Sequence, residues 1–393
     1  MILPYKKLES VLTVGREPPK VPRPLLNKKN AFIKIATISN CYKAVYIFIN
    51  FKIQFIMNGL VLMPTVAENR TSFFADAEVV EPIVEKVELP NHFIQANTVE
   101  VSLEHLANDC VTPVFAKDNE LTINHVSFIH TVEDCVKDFF RGEQVNDTQI
   151  RCSHVCKGRI SSAIHKPANQ LLESDKTIYY ERCAFSIDIP TIYQDINGNR
   201  LYLSVVGVRA YNQQNLYSKK VPELFRVAIG FKNSVCCNMC VFTDGYKGEL
   251  RVSSTRELYQ RVMELFNQFN PAKQIHLMQQ LCNSSLSEHQ FCQILGKMRL
   301  SQYLPMRLQR NIPRLLITDT MINNVAKSYI TDENFSSYGT DINMWKFYNL
   351  LTGANKSSYI DTFLDRSLNA SEIAIGINGA LNNTDERYKW FID

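Results

Sequence analysis

"TIYYERCAFSIDIPTIYQDINGNRLYLSVVGVRAY", Thr177–Tyr211, is the stretch whose reading decides the fold. Thr177–Pro190 alternates and is rich in aromatic and branched residues, the composition that suits a pleated, half-buried surface. Within "DINGN", Asp195–Asn199, Asn197-Gly198 sits at the tip, and Asn-Gly tolerates the positive φ angles of a two-residue hairpin turn. Arg200–Tyr211 then returns as a second strand. "LFRVAIGFKN" (Leu224–Asn233) and "SVCCNMCVFTDGYKGELRV" (Ser234–Val252) supply two or three more. The expected product is an antiparallel sheet.

Upstream, Asn91–Val101 begins the ordered part, and Ser102 caps a short helix through Asn108. A strand and a turn at Lys117–Glu120 precede a helix near Ser127–Phe140, in which Phe128, Val132, Cys135, Val136 and Phe139 recur at helical spacing. From Ser253 the pattern changes. Leu258, Val262, Leu265 and Phe269 form an apolar stripe, Pro271 opens a second helix through Leu281, and Ser287 caps a third. "TDTMINNVAKSYI", "DINMWKFYNLLTGAN" and "SSYIDTFLDRSLNASEIAIGINGAL" complete a helical half. The fold class expected is α+β: an antiparallel sheet with N-terminal helices, followed by a helical C-terminal region packed on it. The division expected is an α+β domain over 91–252 and a helical domain over 253–393.

The 393-residue chain has a net charge of +4, which hides a segregation. Residues 1–56 carry +8, 57–150 carry −11, 151–250 carry +5 and 251–393 carry +2. No acidic residue occurs between Glu17 and Glu68, and 22 of the 30 residues in Asn27–Ile56 are Phe, Tyr, Met, Ile, Asn or Lys. Those six types have AT-rich codons, so 1–56 reads as a spurious or disordered extension with translation starting at Met57. An acidic, flexible lead-in over 57–90 follows. Ala44–Met63 has the length of a membrane span, but Lys52 near its centre costs about 2.5–3.5 kcal/mol, and no membrane insertion is expected. Eleven cysteines without a clean signal peptide point to a reducing, cytoplasmic compartment.

"FKNSVCCNMC", Phe231–Cys240, puts three thiols in five positions. Cys237 and Cys240 form a C-x-x-C spacing, and Cys152, His154 and Cys156 offer three more ligands in an extended segment, where all three would share one face. Those five residues could form a structural zinc site. The flanking Val235, Val241 and Phe242 favour a strand instead. In a strand Cys237 and Cys240 point to opposite faces, and the thiols serve as small buried hydrophobes. No cofactor motif is present. "GANKSS", Gly353–Ser358, lacks the second Gly of a phosphate loop, and Gly353 reads as a helix terminator. Asp361 and Asp365 lie four apart on a helix, where Arg366 beside them suggests a solvated face.

The stretch with most chemistry is "RAYNQQNLYSKK", Arg209–Lys220. Arg209, Lys219 and Lys220 could hold phosphates, Tyr211 and Tyr217 could stack on bases, and Asn212, Gln213 and Asn215 could bond base edges. Upstream, Lys157, Arg159, His165 and Lys166 add to the same net-positive block. The bland alternative is a polar surface loop with ordinary cations.

At "HKPANQLLESDKTIYYER", "GVRAYNQQNLYSKK", "FKNSVCCNMCV" and "LLTGANKSSYIDTFLDRSLNA" the chain resembles a family of Bacteroidetes proteins of unknown function. Genes of that family often lie near phage-like and conjugative elements. The resemblance covers about residues 91–393. More distantly, Cys237 and Asn238, then Trp345, Tyr348 and Asn349, are similar to motifs of phage- and plasmid-borne proteins, also of unknown function. The resemblance implies an accessory protein of mobile DNA in bacterial cytoplasm, and it supplies no catalytic residues. The expected function is non-enzymatic binding of nucleic acid, single-stranded DNA or RNA, without a cofactor. The alternatives are a protein–protein effector, with the acidic 57–150 segment facing its partner, and a zinc-containing enzyme or zinc-stabilised domain.

Overall fold

The hairpin forms as its turn chemistry dictates. In the computed structural model, which describes residues 61–62, 92–110, 122–163, 165–214 and 222–393, strand β4 (Lys176–Ile196) pairs antiparallel with β5 (Asn199–Ala210). Ile196 lies opposite Asn199, and the two turn residues take positive φ, +49° at Asn197 and +78° at Gly198. The register shifts once, between Ile189 and Tyr193, where Pro190 cannot donate to the ladder.

Around this pair the sheet runs β2 (Val99–Glu100), β3 (Gln149–Arg159), β4, β5, β6 (Glu223–Asn233) and β7 (Met239–Cys240). Strand β1 (Val61–Leu62) also pairs with β4, and β8 (Tyr246–Val252) with β6. Two short helices precede or flank it, α1 (Leu103–Asn108) and α2 (His125–Phe139). The helical region comprises α3 (Thr255–Gln268), α4 (Pro271–Leu281), α5 (Glu288–Ser301), α6 (Met306–Gln309), α7 (Asp319–Thr331), α8 (Met344–Asn355), α9 (Ile360–Leu381) and α10 (Lys389–Ile392). The expected caps Ser102 and Ser287 are present, and Ser254 and Thr318 act likewise: each side chain accepts a backbone N–H in the first turn of its helix, α1, α5, α3 and α7 in turn.

Both faces of the sheet are covered, which explains why β5 reads as a nearly continuous apolar run and why β4 is buried on both sides despite its alternation. On one face Phe185, Val205, Phe225 and Val227 pack with Phe128 and Val132 of α2 and with Leu258, Val262 and Leu265 of α3. Gly207 leaves room for this: a Cβ there would stand 2.2 Å from the Phe185 ring and 2.9 Å from that of Phe128. On the other face Ala184, Val206, Val208 and Ala228 meet Ile360, Phe363 and Leu364 of α9. Each of those three side chains contributes about 1.5–3 kcal/mol through burial, so the start of α9 is anchored to the sheet. All described residues belong to one compact unit.

The extension 1–56 and most of the lead-in 57–90 lie outside the described residues. Among the described residues no helix is long and apolar enough to cross a membrane.

Candidate functional site

The thiol segment is not the stretched strand that its composition suggests. Ser234, Val235 and Cys236 form a turn, Cys237 takes a left-handed φ of +55°, and only Met239–Cys240 returns as β7 against Phe231 and Lys232. The Cys237 N–H donates to the Asn233 carbonyl at 2.8 Å, and Val235 points outward. Contacts from far along the chain override the local strand preference here. The Asn238 side-chain amide donates to the Asn349 carbonyl at 3.0 Å, and the Lys356 ammonium donates to the Cys236 carbonyl. Asn349 in turn donates to the Trp345 carbonyl at 2.9 Å, and the Trp345 indole donates to Asn199 at 3.0 Å. The short motifs at Cys237-Asn238 and at Trp345–Asn349 therefore meet in one buried clamp that joins the thiol turn to α8.

Beside the clamp lies a charged network on the α9 face of the sheet. Lys232 donates to Asp188 at 2.5 Å and to Ser186 at 3.2 Å, while Ser186 and Ser204 donate to Asp188 at 2.9 and 2.7 Å. All four side chains are buried. Burial, with the Lys232 charge adding to it, holds the Lys356 ammonium below the usual lysine range. Burial also pushes the Cys236 and Cys240 thiols up to about 12 and raises Cys237. Such thiols are protonated at neutral pH and are poor nucleophiles.

The five residues offered as a zinc set are not brought together. Cys152 is buried directly opposite Cys183 of β4, and the hydrogen bond to Cys183 together with burial holds its thiol well above the ordinary range. His154 takes a φ of +58°, which breaks the strand alternation that would have put it on one face with Cys152 and Cys156. Cys237 lies in the turn and Cys240 in β7. Among the described residues no three His, Cys, Asp or Glu side chains form a metal-holding group.

The residues expected from the sequence to contact nucleic acid divide. Arg209 is fully buried: it pairs with Glu223, donates to the Ile123 carbonyl, and stacks between Tyr211 and Phe225, its guanidinium carbon 4.6 and 4.3 Å from their ring centres. Tyr211 is buried too, packed against His125 and Tyr179. Neither is presented to a ligand, because β5 places Arg209 on the α2 face, where Glu223 of the next strand balances its charge. Asn212 and Gln213 are exposed; Asn215, Tyr217, Lys219 and Lys220 lie outside the described residues. Lys157 and His165 are exposed, Arg159 donates to the Lys166 carbonyl at 2.7 Å, and Lys166 pairs with Asp175 at 2.8 Å. Strand pairing sets Cys156 against Tyr179 and Lys157 against Ile178, so Lys157 and Arg159 share an end of the sheet with Tyr179 and Tyr211.

Two further readings change. Gly353 lies inside the last turn of α8, where a Cβ would stand 3.5 Å from the Asn238 amide, so it does not terminate the helix. Asp361 is turned in, 3.8 Å from Arg182, while Asp365 stays partly exposed, 3.8 Å from Arg226 and accepting from Tyr246.

A surface the sequence reading passed over runs from Lys297 to Arg314. These 18 residues hold five cations (Lys297, Arg299, Arg307, Arg310 and Arg314) and no carboxylate. They also expose Tyr303 (68%) and Met306 (72%). Arg299 is partly balanced by Asp319 and lies over the Tyr303 ring at 5.5 Å. Arg314 lines a groove of about 470 Å³ with Thr362, Asp365, Arg366, Asn369 and Glu372. The absence of acidic residues between Glu288 and Asp319 was visible in the sequence, but the regional charge of +2 diluted it.

Residues 73–392 match the family model described as "Domain of unknown function, B. Theta Gene description (DUF3871)". The chain belongs to this family. The match spans the sheet and the whole helical region, so the clamp and the exposed basic run both lie within the family's own domain. No curated protein and no solved structure matches the chain.

Proposed function

We propose that the protein binds single-stranded nucleic acid, as an accessory protein of a mobile genetic element in the bacterial cytoplasm. The observation that carries this reading is the exposed run Lys297–Arg314: five cations, no carboxylate, and Tyr303 standing out from the surface. Cations there hold phosphates, and an aromatic face stacks on any base without reading its identity. Gln302 and Asn311, both exposed, supply amides. Lys157, Arg159, Asn212 and Gln213 form a second contact area at the end of the sheet. The mobile-element context rests on the sequence resemblance alone.

Binding of a fluorescent oligonucleotide across a salt series tests the proposal. For single strands the log–log slope is about −0.7 per neutralised phosphate, so Arg307→Glu with Arg310→Glu should flatten it by about 1.4. Absence of binding at low salt, or an unchanged slope in that variant, removes the run from the reading.

A second reading, as a protein–protein effector such as an anti-defence factor, is favoured by the apolar side chains exposed in the same segment. Leu300, Met306 and Leu308 accompany Tyr303, and apolar anchors within a cationic rim suit an acidic protein partner. The acidic 57–150 segment, net −11, would instead face a basic surface of a partner. Stable capture of a purified acidic protein that survives nuclease treatment and high salt would favour it.

A further inference from the structure

Outside the binding surfaces, three groups at the end of α1 stand in the order of a nucleophile, a base and an orienting carboxylate. Asp109 Oδ2 lies 2.7 Å from His105 Nδ1, and His105 Nε2 lies 3.5 Å from Cys110 Sγ. A His–Asp pair four residues apart at a helix end is common and needs no function. Here, however, the second ring nitrogen is turned inward, where it meets the thiol and the Tyr180 hydroxyl, 3.3 Å away. The Tyr180 ring stands edge-on to the imidazole at 6.1 Å, which fixes its plane. A parallel bridge between Cys110 and Ile178 ties the Cys110 backbone to the start of β4. His105 and Cys110 are both partly exposed.

With Asp109 accepting from Nδ1–H, Nε2 is left with one lone pair, for which the Cys110 and Tyr180 hydrogens compete. The charged and titratable groups facing this site are Asp109 on the helix end, Tyr180 on β4 and Cys152 on β3. Burial and the Asp109 charge push the Cys110 thiol up to about 11. The thiol is therefore not ionised at rest, and without a base it would react more slowly than an exposed cysteine.

We propose that Cys110 is a nucleophile for acyl transfer from small esters or thioesters, with His105 as its general base and Asp109 as the residue that orients the ring. Cys110 Sγ bonds to the carbonyl carbon as its proton passes to His105 Nε2. The tetrahedral intermediate expels the alcohol or thiol, which leaves with that proton, and a thioester remains on Cys110. Water attacks the thioester, giving up a proton to the same nitrogen; the acid departs and the thiol is regenerated. Tyr180 is a positioning residue.

The test is acetylation of the intact protein by p-nitrophenyl acetate, followed at each cysteine by peptide mass spectrometry. Exposed Cys292 serves as the internal reference. A general base contributes on the order of 100-fold, which offsets the raised thiol, so Cys110 should label at least as fast as the exposed Cys292 at pH 7, a lead over what its own ionisation allows. His105→Gln should remove that lead, and Asp109→Asn should reduce it. The Cys110 rate should not climb in proportion to thiol ionisation as pH rises. Labelling of Cys110 more slowly than Cys292 in the unmodified protein overturns the proposal without any variant. So does an unchanged Cys110 rate in a folded His105→Gln protein.

Discussion

Replacing Asp188 by Leu should unfold the chain more readily than any surface change, and the size of the loss follows from the network around it. The carboxylate accepts three hydrogen bonds, from Lys232, Ser186 and Ser204. Without it the Lys232 ammonium stays fully buried with only the Ser186 hydroxyl at 3.2 Å and the faces of Tyr202 and Phe93 at 5.5 and 6.0 Å. Lys356 nearby adds like charge. Removing one partner of a buried pair costs about 3–5 kcal/mol, against a total stability on the order of 5–15 kcal/mol. Lys232→Met should cost less, about 2–3 kcal/mol, because two hydroxyls still donate to the carboxylate.

The double variant is the decisive one. Leu at 188 with Met at 232 leaves no unpaired charge, and apolar replacement of a buried pair is often nearly neutral. It should therefore be more stable than Asp188→Leu alone by at least about 2 kcal/mol, the sign of direct coupling between the two sites. Urea unfolding followed by circular dichroism at pH 7, with slopes compared across the four proteins, measures this. A cost below about 1 kcal/mol for Asp188→Leu, or losses that simply add in the double variant, would refute the assignment of Asp188 as the counter-charge of Lys232.

Burial, aided by the Arg209 charge, holds His125 down to about 3, below its ordinary 6.5, so the folded chain keeps the ring neutral. As pH falls below 6.5 the unfolded chain gains the proton first, and stability drops by about 1.4 kcal/mol per pH unit. His125→Gln keeps a donor for the Tyr180 carbonyl, which the ring meets at 2.8 Å, and should lose about 2 kcal/mol less than the parent between pH 7 and 5; equal losses in matched urea titrations would exclude His125 as the source. Gly207→Ala forces a methyl into the Phe185 and Phe128 rings and should cost about 1–3 kcal/mol by thermal melting, whereas an unchanged melting point would mean that the rings are free to move aside.

The parts of the fold that could be read from the chain are those whose cause is local. Asn197-Gly198 specifies its own turn, Ser254 and Ser287 start their helices with hydroxyls three residues from the N–H they satisfy, and Pro271 opens its helix at the first position. Arg209 shows where that stops. Its strand is apolar on both faces, so alternation gave no inside or outside, and a cation among polar loop residues read as surface because unpaired cations are rarely buried. Its counter-charge, Glu223, lies 14 residues on. The thiol turn failed for the same kind of reason at longer range: Val, Cys and Phe favour strands, but the chain there is bent by Asn349 and Lys356, more than 110 residues away. The candidate chemistry reverses the case. Cys110, His105 and Asp109 are within six residues of one another, yet helical spacing alone explains only the His–Asp pair. What makes the group worth testing is the inward turn of Nε2 toward Cys110 and Tyr180, and that depends on β4 arriving beside α1, which nothing in residues 103–110 specifies.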